Sequence, residues 1–167
     1  NIPRHFSIAD REDSLALIKT VIQDLGYDPK STEPRRILGA ISREKGRLVN
    51  VAHYAEHLEQ NPFGQVVLEI WQRYEQALRA AESLDFDDLI LKAVTLLRDY
   101  PPILALGQER WPYLHIDEYQ DTNSAQYQLA RLLAGARENI CVVGDLDQSI
   151  YSWRGADVQF ILAFEED

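Results

Sequence analysis

The chain has 167 residues, 46% hydrophobic and 26% charged, with a formal net charge of −10, the balance of a soluble globular protein long enough for one domain or somewhat more. No apolar run approaches the ~20 residues that span a bilayer, and the start, Asn1 to Asp10, has no apolar signal core. Neither a membrane partner nor a secretory leader is expected from this sequence, and the non-Met start points to a processed or excised chain.

The first two-thirds read as helical. Leu15, Ile18, Ile22 and Leu25 share one face of a helix from Ser14 to Leu25, with Asp10 or Ser14 as cap and Gly26 as stop. Asp28-Pro-Lys-Ser31 is a loop. A second helix is expected from Pro34 to about Lys45, a third over Val49–Glu59 and a longer one from about Gln65 to Glu82, burying Val67, Ile70, Trp71, Tyr74 and Leu78. Charge is uneven along this stretch: residues 1–50 carry a net +2 and residues 51–167 a net −12. A phosphate backbone needs a local basic patch rather than a basic total. Arg35, Arg36, Arg43, Lys45 and Arg47, against only Glu33 and Glu44, supply one candidate; a solvated helix face is the alternative. A further helix over Asp85–Tyr100 is stopped by Pro101-Pro102.

After Pro112 the texture changes. Tyr113–Ile116 is a short apolar run ending in acids, Ser124–Leu133 a helix closed by Gly135, and Asn139–Val143 a second run ending in Gly144-Asp145. Strand, helix, strand implies a parallel βαβ unit with both strands ending in carboxylates, where open α/β sheets bind ligands. Two strands are too few for a sheet buried on both faces, so the rest of the sheet is expected from sequence outside the chain. The single cysteine, Cys141, lies in the second run. It excludes a disulfide framework and a cysteine zinc site, and as a buried thiol it implies a reducing, cytoplasmic setting.

The residues suited to chemistry lie in two segments. In Leu114-His-Ile-Asp-Glu-Tyr-Gln-Asp-Thr-Asn123 an apolar strand delivers two acids to the sheet edge: the first suits Mg²⁺ on nucleotide phosphates, the second suits polarising a water. The alternative is an acid capping the next helix, Asp121 or Thr122 being the candidate caps. In Val142-Val-Gly-Asp-Leu-Asp-Gln-Ser-Ile-Tyr-Ser-Trp-Arg-Gly-Ala156, the Gln148 amide suits a terminal phosphate or the attacking water. Tyr151 and Trp153 suit stacking on unpaired bases, and Arg154 suits a phosphate or carboxylate. For Trp153 the alternative is a buried core anchor.

Together these segments resemble motifs II and III of superfamily 1A DNA helicases of the PcrA/UvrD/Rep type, most of all the PcrA branch. Ser83-Leu-Asp-Phe-Asp-Asp-Leu-Ile90 resembles the Phe-Asp-Asp-Leu motif that precedes Walker B in that group. Phe6–Asp10 and Pro34–Ser42 resemble its inserted helical subdomain, 1B. The resemblance covers essentially the whole chain. It implies an α/β fold, mostly helical overall: a 1B-like subdomain over 1–82, then part of a RecA-like parallel sheet with flanking helices over 83–167. It implies that Asp117 would coordinate Mg²⁺, Glu118 would be the general base, and Gln148 would contact the γ-phosphate of ATP. Gln120 and Arg154 would couple the nucleotide to neighbouring motifs. Tyr151 and Trp153 would lie under single-stranded DNA, and Lys45 and nearby arginines would touch duplex backbone at a junction.

No Gly-x-x-x-x-Gly-Lys-Ser/Thr loop occurs in the sequence; in Gly39–Gly46 the lysine precedes the glycine. Without that cradle for phosphates, residues 1–167 alone are expected neither to hydrolyse ATP nor to unwind DNA. The resemblance places the Walker A region upstream and the second RecA-like domain downstream, as partners of this chain in a 3′→5′ motor. Two other readings compete. A two-metal nuclease would use Asp117, Glu118, Asp121, Asp145 and Asp147. A non-catalytic DNA-binding module would carry the motifs idle.

Overall fold

The computed structural model describes residues 2–28, 30–58, 61–148, 159–162 and 164. The fold is α/β and mostly helical, with two small parallel sheets among the described residues. Among the described residues no helix is long and apolar enough to cross a membrane. The chain divides into two compact units, one holding everything up to Lys45 together with Val49–Leu89, the other holding Gly46–Leu48 and the chain from Ile90 onward.

The first unit opens with a strand that helical periodicity does not reveal. β1 (Ser7–Ala9) pairs in parallel with β2 (Ser83–Asp85), in the register Ser7 to Ser83, Ile8 to Leu84 and Ala9 to Asp85. This pairing carries the first compact unit on to Leu89.

α1 (Arg11–Asp24) begins at Asp10, which accepts from the N–H groups of Glu12 and Asp13, while Asp13 returns a bond to the Asp10 N–H. That reciprocal box satisfies backbone donors that the first turn leaves open. Ser14, the other candidate cap, is instead buried on the inner face with Ile18, Val21 and Ile22. α2 (Pro34–Gly46), the short α3 (Val51–His57) and α4 (Pro62–Ala80) follow. The expected α4 stripe of Val67, Ile70, Trp71, Tyr74 and Leu78 is buried, and it closes one core with Ile18 and Ile22 of α1 and Ile37 and Ile41 of α2.

α5 (Phe86–Asp99) ends where expected, but Pro101-Pro102 does more than stop it. The two prolines open α6 (Pro101–Arg110). At the first turn a missing N–H costs nothing and the fixed φ suits the helix.

In the second unit β3 (Leu114–Ile116), α7 (Ser124–Ala134) and β4 (Ile140–Val142) form the expected βαβ unit, β3 and β4 pairing in parallel with Ile116 opposite Val142. Gly135 ends α7 at φ +54°, a left-handed conformation that glycine adopts without a Cβ penalty. α6 is fastened to α7 by Gln108 Nε2, which donates to the Leu132 carbonyl. Cys141, expected buried, is exposed. It lies opposite the exposed His115 across the ladder, and alternation sends both side chains to the open face of this two-stranded sheet.

Candidate nucleotide site

β3 delivers Asp117 and Glu118 to its carboxyl end. Glu118 sits at φ 54°, ψ 39°, left-handed for a residue with a side chain, a conformation that costs about 1–3 kcal/mol and gathers at functional positions. The turn is held on several sides. The Glu118 N–H donates to Asp117 Oδ1 at 2.9 Å, and the Asp121 N–H donates to the Glu118 carbonyl. The Tyr119 N–H donates to the Val143 carbonyl at 2.9 Å, and the Val143 N–H donates to the Ile116 carbonyl at 2.8 Å. The acids therefore sit on backbone stitched to the end of β4. Helix α7 takes its cap from Asn123, boxed with Gln126. Asp121 and Thr122 are thus not the caps.

The cleft beside the turn has a volume of about 280 Å³ and is lined by Ile116, Asp117, Glu118, Asp121, Thr122 and Gln126. Asp117 and Glu118 are exposed. Among the described residues no hydrogen bond engages Asp117 Oδ2, and the buried Asp121 Oδ1 has no hydrogen-bond partner. Hard carboxylate oxygens of this kind fit Mg²⁺. Such an ion is held by one or two carboxylates together with the substrate's own phosphates, and among the described residues no three acidic, histidine or cysteine groups cluster as a metal cage.

Gln120 is 0% exposed. Its Nε2 donates to Glu118 Oε2 at 2.6 Å, and its Oε1 accepts from the Asp145 N–H at 2.9 Å. Asp145 in turn holds the turn after β4: Oδ1 accepts from the Asp147 N–H, Oδ2 accepts from Gln148 Nε2 at 2.8 Å, and its carbonyl accepts from the Gln148 N–H. Asp117, Glu118, Gln120 and Gln148 thus belong to one strand-end assembly. Asp145 completes it and is the residue the motif reading left without a nucleotide role; its Asp-x-Asp-Gln turn signature was the available signal. Tyr151, Trp153 and Arg154 lie outside the described residues.

Gly144 lets β4 approach this assembly. A Cβ there would fall 2.7 Å from Gln120 Oε1 and 3.2 Å from the Gln120 backbone nitrogen. Gly144→Ala is expected to cost about 1–3 kcal/mol through overpacking. Reduced hydrogen-exchange protection at Tyr119, Val143 and Asp145 will report it, and unchanged protection there will refute the tight fit.

Lys45, expected at a duplex backbone, is 1% exposed, with Nζ 2.9 Å from Glu75, 2.8 Å from Asp85 and 3.1 Å from Asp88. Burial alone lowers its pKa, but attraction from Asp85, Asp88 and Glu75 outweighs burial and holds it well above the ordinary lysine value. Asp85 also accepts from the Tyr74 hydroxyl at 3.0 Å and caps α5 through the Asp88 N–H. Burial pushes the neighbouring Asp87 carboxyl above the usual range, partly offset by a hydrogen bond from Ser42. The Phe-Asp-Asp-Leu segment is therefore the acidic half of a buried ion cluster in the first unit. Arg35, Arg36, Arg43 and Arg47 of the same basic segment are exposed.

A parallel βαβ unit with an acid pair at one strand end and a glutamine turn at the next has the layout of a Walker B element. The UvrD/REP helicase N-terminal domain model matches residues 1–167, and the chain belongs to that family. It is 45% identical over 166 residues to the ATP-dependent DNA helicase PcrA of Bacillus subtilis, covering 99% of this chain and 22% of that protein. It is 46% identical over 166 residues to the protein of the same name from Staphylococcus aureus strain Mu50, and 47% identical over 167 residues to that of Staphylococcus epidermidis. In both cases the match covers 99% of this chain and 23% of the relative. The chain thus spans under a quarter of the length of these relatives.

Proposed function

We propose that this chain is part of an ATP-dependent DNA helicase that moves 3′→5′ on single-stranded DNA and opens duplex at single-strand/duplex junctions. The observation that carries this reading is the Asp117-Glu118 pair at the end of β3, stitched to the β4 turn that carries Gln148. Family membership and the helicase names of the relatives support it.

Asp117 would hold Mg²⁺, which supplies charge neutralisation at the nucleotide phosphates. Glu118 accepts the proton of the water that attacks the γ-phosphate in line, giving ADP and phosphate. Gln148 donates to the γ-phosphate, so the segment that follows it in sequence, with Tyr151, Trp153 and Arg154, senses whether that phosphate is attached. Tyr151 and Trp153 stack on unpaired bases, and Arg154 links them to nucleotide state. Hydrolysis needs the phosphate loop and the second RecA-like domain as partners, so residues 1–167 alone are inactive.

The test is ATP turnover by the full-length protein with and without single-stranded DNA, and unwinding of duplexes bearing a 3′ or a 5′ tail, with residues 1–167 as control. Stimulation by DNA, preference for the 3′ tail and an inert control are expected. Turnover indifferent to DNA, a 5′ preference or turnover by the control will each contradict the corresponding part.

A further inference from the structure

Gln120 is a buried amide with both ends committed to different strand ends. One end donates to the carboxylate of Glu118 after β3; the other accepts from the backbone of Asp145 after β4. The partners dictate its orientation. A carboxylate only accepts and a backbone N–H only donates, so the flipped amide would lose both bonds. The amide is enclosed, with Gly144 closing on its Oε1, so it moves only together with the turn that carries Gly144 and Asp145. Its own backbone is fixed by the Tyr119–Asp121 turn and by the Tyr119-to-Val143 bond. Glu118, by contrast, is exposed on a strained left-handed backbone. Among the described residues its side chain has one hydrogen-bond partner, Gln120. From Asp145 the connection continues through Oδ2 to Gln148.

We infer that Gln120 is the positioning residue that sets the Glu118 carboxylate according to the placement of the Gln148-bearing turn, so that DNA engagement downstream of Gln148 raises the rate of the chemical step. This rests on the proposed role of Glu118 as base and assigns the control of that base. A displaced turn pulls on Gln120 Oε1; Gln120 then shifts the carboxylate it holds at 2.6 Å. Misplacing a reacting group lowers turnover far more than it weakens nucleotide binding.

The experiment compares Gln120→Glu and Gln120→Ala with wild type in the full-length protein, measuring kcat and KM for ATP with and without single-stranded DNA. Gln120→Glu keeps shape and the acceptor for Asp145 while replacing the donor to Glu118 with a charge. Gln120→Ala removes both ends. For both, DNA-stimulated kcat is expected to fall about 10–100-fold, the range for losing a partner that orients a reactive group. KM for ATP should stay within about twofold, because nucleotide binding is not what these bonds serve. The ratio of stimulated to unstimulated kcat should fall as well, which a general loss of folded protein does not produce. Should Gln120→Ala misfold, the near-isosteric Gln120→Glu decides.

Stimulated kcat within twofold of wild type, or stimulated and unstimulated kcat falling by the same factor, overturns the inference. Glu118→Gln measured alongside separates the two levels. If it retains turnover, Glu118 is not the base and the underlying reading fails. If it is inactive while Gln120→Glu behaves as wild type, only the role of Gln120 is wrong.

Discussion

With glutamine in place of Glu118, ATP turnover by the full-length protein is expected to fall by roughly 10²–10⁴-fold, the usual contribution of a positioned general base, while nucleotide affinity holds. The substitution is nearly isosteric. The Gln120 Nε2 donor can still find an oxygen at position 118, and an amide tolerates the left-handed backbone no worse than a carboxyl does. What is lost is the capacity to take a proton from water. The effect therefore belongs in kcat and not in binding. Phosphate release gives the first and titration with a fluorescent nucleotide the second. Near-normal turnover would remove Glu118 from the chemistry, and a proportionate loss of nucleotide affinity would make its role one of binding.

The strand-end site was legible because its signals are local. A short apolar run, two acids at fixed offset, a capped helix and a second run ending in Gly144-Asp145 each constrain neighbours in sequence, and β3, α7 and β4 follow them closely. β1 and β2 were not legible. Each has three residues, too few to display alternation, and each finds its partner across the whole of α1 to α4. Pro101-Pro102 was read for one of its two effects, ending α5, and not for opening α6. The bonds of Gln120 to Glu118 and Asp145 depend on the register of β3 against β4, which no pattern within either strand encodes. Lys45 is a different case. Ile37, Ile41 and Lys45 recur every four residues on α2, so helical periodicity places Lys45 on the buried face with the two isoleucines. Local charge density outweighed that signal in the sequence reading, although Asp85 and Asp88 were available as partners from the Phe-Asp-Asp-Leu segment.

That geometry makes Lys45→Met the largest stability change expected in the first unit, about 3–5 kcal/mol, the cost of stranding buried charge by removing its partner. The side chain lies among Glu75, Asp85 and Asp88, and its loss leaves their mutual repulsion uncompensated. The sign with pH follows from its raised pKa. A lysine bound more tightly to its proton when folded contributes stability that is complete below the unfolded value of about 10.4 and lost only as pH rises through the higher folded value. The loss on substitution should accordingly not shrink across neutral pH through any titration of Lys45 itself. Hydrogen exchange in the full-length protein isolates the effect: protection should fall in α2, α4 and α5, which carry the cluster, ahead of α7. Adding Glu75→Gln to Lys45→Met should recover part of the loss by removing one of the stranded charges, a non-additivity that a double-mutant cycle measures directly. The opposite pattern, intact protection with weaker and less salt-dependent DNA binding, belongs to a lysine on a phosphate and would return Lys45 to the DNA surface.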